Sequence, residues 1–420
     1  MTLHEAHPDP RAEAHRLGAR ASAWGNVALG AGVVGLGASI ALGLSAADHF
    51  RTLQRTWLVA CAFFLTISLG AMFFVIIQHL TRAGWSVVVR RVAELAAANT
   101  PVLALLVAPL VVQTLRGDDG LYPWVDADRV RETPTLAAKA VFLDPRFFAA
   151  RLALYFAIWW LVGRFLLARS TAQDTSNGVE PTLALERRAA PAMVAFALSL
   201  NFAAFDLVMS VSPTWYSTIF GVYVFAGSVM SFFAATVLGL RFLQSRGLLR
   251  EEVTVEHYHD LGKFLFAFVF FWGYIAFSQF MLIWYADLPE ETFWFQPRME
   301  GTWGTLSLVL LFGHFVLPFA GLLSRHAKRR LAVLSAWAVW LLAMHALDLA
   351  WLVLPESGHA AVSSEAAAAH GVAIPWLQLA AAFLSVGGLW TFSFLRLART
   401  RSLCPIGDPR LPQSLAFENF

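Results

Sequence analysis

Charge is what this sequence has least of. Asp, Glu, Lys and Arg together make up 14 % of its 420 residues, where soluble domains carry about a quarter. A chain that poor in charge and 58 % hydrophobic reads as a polytopic membrane protein. Cysteine is almost absent too. Cys61 lies in an apolar run and Cys404 near the C-terminus, so CxxC, a CxxCH haem attachment and an iron–sulfur cage are all excluded. Any such centre would belong to a partner. No Gly-rich phosphate loop, nucleophile motif or basic nucleic-acid patch occurs. His257, His259 and Asp260 lack the third and fourth partners that a metal needs, and Asp260 as a helix cap explains their placement. No metal site is expected.

Long apolar runs are what the chain has in abundance. Ten have spanning length: Trp24–Leu44, Trp57–Leu80, Ala97–Leu115, Phe147–Leu167, Ala189–Val211, Ser217–Leu240, Leu261–Tyr285, Trp303–Leu323, Leu331–Leu354 and Ile374–Leu395. The first follows a segment mixing Glu, His, Asp and Arg, unlike a signal peptide's basic n-region, and is kept as a helix. Lys and Arg alternate in density between the loops, with Arg90 and Arg91 in the second loop. Twenty lie on the side of the termini and eight on the other. That bias predicts cytoplasmic termini. The expected fold is all-α, with a cytoplasmic segment over 1–23, a membrane domain over 24–395 and a cytoplasmic tail over 396–420. Ala31, Gly35, Ser39 and Gly43 form a small-residue stripe for close helix approach.

Polar residues inside the runs are the candidates for chemistry, because a buried titratable group in a membrane is costly. The stretch Asn201–Gly227 carries Asp206 nearly two turns before a helix end enforced by Ser212-Pro213. Trp215 and Tyr216 follow, where amphipathic rings favour the lipid–water boundary. At 1.5 Å per residue, Asp206, Asp348 and Gln279 fall roughly 9 to 12 Å from the periplasmic end. His314 and His345 fall roughly 15 Å in. His345 and Asp348, three apart, share a helix face and could pass a proton or only bind two helices together. Tyr274 would bridge these levels to Gln78, His79 and Lys263 near the cytoplasmic ends, giving a broken polar column. Arg164 reads as a snorkelling residue. His314 and His345 would also allow a bis-histidine b haem. The outer loop Asp287–Gly301, acidic and aromatic, reads as a docking surface.

Three blocks, SPTWYSTIFGVYVFAGS, HDLGKFLFAFVFFWGYIAFSQFMLIWYADLPEET and DPRLPQSLAFENF, resemble the NrfD/polysulfide-reductase membrane-subunit family. More narrowly, they are similar to the second such subunit of alternative complex III, a bacterial quinol:cytochrome c oxidoreductase. The resemblance implies two four-helix bundles, about 57–211 and 217–354, flanked by the first and last helices. It implies a bacterial inner-membrane location amid lipid, and periplasmic partners carrying c haems and iron–sulfur clusters. It also implies a quinol-binding sister subunit, with a terminal oxidase as a further partner. The sister typically has a Glu where this chain has Gln279, so quinol oxidation would fall to the sister. The expectation is a cofactor-free subunit for assembly and for proton translocation along Asp206, His345, Asp348, His314, Tyr274, Gln279, Lys263 and His79. The rivals are a quinone-binding redox subunit, a b-haem cytochrome and a secondary transporter.

Overall fold

Ten helices are long and apolar enough to cross a membrane in the computed structural model, which describes residues 15–48, 50–176, 178–355 and 374–419. They are α1 (Ala19–Ser45), α2 (Arg51–Leu80), α3 (Val87–Leu115), α4 (Pro145–Ser176), α5 (Glu180–Val211), α6 (Phe220–Ser245), α7 (Val255–Ala286), α8 (Gly301–Leu323), α9 (Leu331–Val353) and α10 (Trp376–Ala398). No strand occurs among the described residues. In hydrocarbon every backbone N–H and C=O must be paired within its own segment, and helices meet that demand.

The helices close into two rings. In the first, α2, α3, α4 and α5 each touch the next, and α5 returns to α2; in the second, α6, α7, α8 and α9 do the same. The rings join where α2 meets α6 and α9, and where α5 meets α6. Accordingly α2 and α6 are the most buried spans. Small residues permit the seam: a Cβ at Gly70 of α2 would stand 2.2 Å from the Ser228 carbonyl oxygen of α6. Outside the rings α1 and α10 pair closely. A Cβ at Gly35 would come within 2.5 Å of the Ser385 amide nitrogen, so this part of the stripe faces α10, while Gly43 meets Phe50 and Leu53 at the start of α2.

The first described residues and the C-terminal segment lie on one face, since Arg16 bridges Ser402 and the Leu403 amide donates to the His15 carbonyl. On this face the third span begins ten residues earlier than its apolar run. It consists of Val87–Ala97 and Thr100–Leu115, so Arg90 and Arg91 are not in a loop. Both are buried. Arg90 pairs with Glu94 and Asp408, and Arg91 with Glu94 and Asp174. The C-terminal tail is drawn over these charges. Arg410 reaches Glu186, Ser414 Oγ donates to the Trp85 carbonyl at 2.6 Å, and Phe417 packs on Trp85.

On the opposite face two expectations change. Trp215 is buried, not at a lipid boundary, and stacks on Trp294 with centroids 4.2 Å apart. Tyr216 is exposed, under the Lys139 ammonium. The loop expected as a docking surface buries Trp294, Phe295 and Arg298 and exposes its acidic start, Gln296 and its end at Met299, Glu300 and Gly301. Its aromatic half is a plug over the second ring.

Candidate functional site

The polar groups inside the membrane domain separate into three places. The first is a charge clamp in the first ring. Asp206 is fully buried and receives Arg151 Nε at 2.9 Å, Arg151 Nη2 at 2.6 Å and the Tyr155 hydroxyl at 2.9 Å. Arg151 and Tyr155 lie four apart on one face of α4, and Phe142 and Phe147 cover the guanidinium. A carboxylate held this way ties α4 to α5. Sequence reasoning missed Arg151, which stands only four residues inside its apolar run. An arginine at that depth, on the helix preceding a buried aspartate, was the available signal.

The second place is the seam between the rings. Asp348 of α9 accepts a hydrogen bond from Tyr223 of α6. Three residues earlier His345 Nε2 meets Thr66 Oγ1 of α2 at 2.9 Å. The His345 ring lies against α6, where a Cβ at Gly227 would stand 2.8 Å from Cε1. His314 of α8 faces His345 with ring centroids 6.5 Å apart and packs on Trp272 at 3.8 Å. A π-helical segment, Leu311–Val316, presents it. Pro318 follows in the helix and supplies no N–H to the His314 carbonyl, which fits this widened turn. His345 Nδ1 and both His314 nitrogens have no protein hydrogen-bond partner among the described residues. The structure thus brings together Asp348, His345 and His314, as the sequence predicts, and adds Tyr223 and Thr66. It does not fit a haem between the histidines: Thr66 holds one ring and Trp272 closes on the other.

Beside the seam lies a cavity of about 290 Å³, lined by Tyr223, Gln279, Phe280, Ser307 and Trp351 among others. Gln279 sits at its polar end and accepts from Ser217 Oγ at 3.1 Å.

The third place is the terminal face, where the expected column fails to continue. Tyr274 is 56 % exposed on the outer side of α7, so it bridges nothing. Lys263 is half-exposed, pairing with Asp260 and donating to Asn419 Oδ1 at 2.9 Å. Asp260 is no cap: Thr254 and His257 cap α7 reciprocally. Arg164 is exposed, over Trp160. His79 and Gln78 are buried, and both His79 nitrogens lack a protein partner among the described residues. From Thr66 to His79 is roughly 20 Å along α2. Phenylalanines fill that interval: Phe73 meets Phe225 at 4.9 Å, and Phe74 meets Phe232 at 5.3 Å. Among the described residues no group of three His, Cys, Asp or Glu could hold a metal. No protein-family model and no curated protein matches this chain.

Proposed function

We propose that this chain is a membrane subunit of a quinol-oxidising respiratory complex of the alternative complex III type. In this reading it lies in the bacterial inner membrane with cytoplasmic termini. Its partners are a quinol-binding sister subunit and periplasmic subunits carrying c haems and iron–sulfur clusters. The family assignment is supported by the three sequence blocks alone. The observation that carries the chemistry is the seam: Asp348 receives a hydroxyl from Tyr223, with no cation paired to it among the described residues. His345 and His314, with unpartnered nitrogens, stand beside it. Such a cluster suits proton exchange near the face opposite the termini. The phenylalanines between Thr66 and His79 make a continuous path to the other face the less favoured version.

The test uses the complex purified through a tag on this chain. Multihaem cytochrome should co-purify, and Asp348→Asn should lower proton release per electron in vesicles while leaving assembly intact. A tagged chain that purifies without haem subunits overturns the assignment, and an unchanged proton ratio overturns the role of Asp348. One observation favours a second reading. The cavity beside Tyr223 has a polar end at Gln279 and apolar walls, which suits a quinone ring held by this chain. Gln279→Ala would then cost tenfold or more in quinol turnover, about 1.4 kcal/mol in barrier.

A further inference from the structure

A second cavity, of about 310 Å³, lies on the terminal-face side, between the α1–α10 pair and the seam of the two rings. Its walls come from five spans and include Trp24, Ile67, Phe232, Gly239, Phe242 and Phe394. Thr236 and Thr391 are the only hydroxyls in the lining. Water needs two to four polar partners to stay in such a space, so hydrocarbon suits it better. One wall is open in a specific place: a Cβ on Gly239 would meet nothing within 4 Å.

The rim has the opposite character. Trp24 and Phe242 meet edge to face at 5.1 Å. The Arg246 guanidinium lies over both rings, 5.9 Å from the first and 5.3 Å from the second. Arg20 Nη1 donates to the Arg246 carbonyl at 3.0 Å, which holds the Arg20 guanidinium against the Arg246 main chain. Both are exposed, and neither is in an ion pair among the described residues. Glu252, in the turn after α6, is engaged by His15. Each guanidinium therefore has spare donors in the fork geometry that matches a phosphate.

We propose that this crevice binds an anionic phospholipid, with an acyl chain in the cavity and its phosphate on Arg20 and Arg246. The lipid then fills the joint between the α1–α10 pair and α6. A quinone fits less well, because the lining offers a ring carbonyl only hydroxyl and indole donors and no charged one, the two cations standing at the rim. A lipid that is electrically neutral overall would use the cavity without the full benefit of the two cations.

The test compares phosphatidylglycerol with phosphatidylcholine of the same acyl chains. It uses the full chain in mild detergent, read by native mass spectrometry and by the thermal midpoint. Phosphatidylglycerol should be retained and raise the midpoint, with at least a fivefold preference. Gly239→Leu should abolish retention of both lipids by filling the cavity. Arg20→Gln with Arg246→Gln, both at exposed positions, should remove the preference while leaving some retention. This second variant decides the matter if Gly239→Leu does not fold. Equal retention of the two lipids by the wild type overturns the proposal. So does an unchanged preference in the arginine variant, or displacement of the lipid by a stoichiometric quinone.

Discussion

The Asp206–Arg151 clamp yields the sharpest prediction, because position alone makes Asp206 a proton carrier and its partners make it a structural tie. The carboxylate is fully buried and the guanidinium side chain is 9 % exposed. The two make bonds of 2.6 and 2.9 Å, and Tyr155 adds a third. Arg151→Met would strand a buried carboxylate, and removing one partner of a buried pair costs about 3–5 kcal/mol. Asp206→Asn would strand the cation but keep an acceptor. Its cost should lie nearer that of a hydrogen bond to a charged group, about 1.5–3 kcal/mol. Arg151→Met with Asp206→Leu removes both charges and should recover most of the loss, since such replacements are often close to neutral. The coupling should therefore reach or exceed the upper end of the range for contacting residues, about 3 kcal/mol. Reversible unfolding in mixed micelles, run as a double-mutant cycle with Asp206→Leu as the second single variant, measures it. Asp206→Asn at wild-type stability with altered proton release would refute the reasoning and restore Asp206 as a titrating group.

Other consequences are simpler. Gly70→Val should loosen the seam between the rings, with a cost of about 1–3 kcal/mol typical of overpacking. Gly30→Ala, where a Cβ meets nothing within 4 Å, should be neutral in the same unfolding assay. Gly35→Leu should part α1 from α10, seen as faster proteolysis of the terminal helices with the two rings intact. Cys404 is buried, and burial pushes its thiol up to about 12. It should therefore resist maleimide at pH 8. Arg91→Met removes the contacts to Asp174 and to the Ser402 carbonyl that hold the tail, and Cys404 should then label. Labelling of wild-type Cys404 at the rate of a free thiol would contradict the docked tail.

Span number and order were legible in the sequence because hydrocarbon length imposes them, as was the helix end before Pro213. The rotation of each helix was not. Helices α7 and α9 carry large apolar residues on nearly every side, so no polar stripe marks an inner face. Tyr274 and Gln279 look equivalent in such a run, yet one is exposed and the other buried. The third span was read short because Arg90, Arg91 and Glu94 lower its hydropathy. That penalty applies to single residues, whereas the structure pairs the three with one another and with Asp174 and Asp408. Trp215 was misplaced for a related reason. An aromatic residue just past a helix end fits the interfacial belt, and nothing local signals that Trp294, 79 residues on, closes over it. The small-residue stripe in α1 was legible because small side chains at four-residue spacing mark a close-packing face before the partner helix is known.

Asp206 and Asp348 occupy matching positions, each five residues before the end of the last helix of its ring, Val211 in α5 and Val353 in α9. Equal depth exposes both to the same lipid environment, so depth does not distinguish their roles. Their partners do. Loss of the charge on Asp206 would leave the Arg151 cation buried without its counter-charge, which is costly to the fold. A proton arriving on Asp348 strands no cation, because its hydrogen-bond donor is the neutral Tyr223 hydroxyl. The surroundings differ in the same sense. Asp206 lies within one ring and ties two of its helices. Asp348 lies on the helix that also carries His345 to Thr66 of the other ring, so a change of charge there acts on the joint between the rings. If the membrane domain responds to turnover in its partners, the joint at α2, α6 and α9 is where a single proton has the most leverage, and the clamp in the first ring is what stays fixed while it moves.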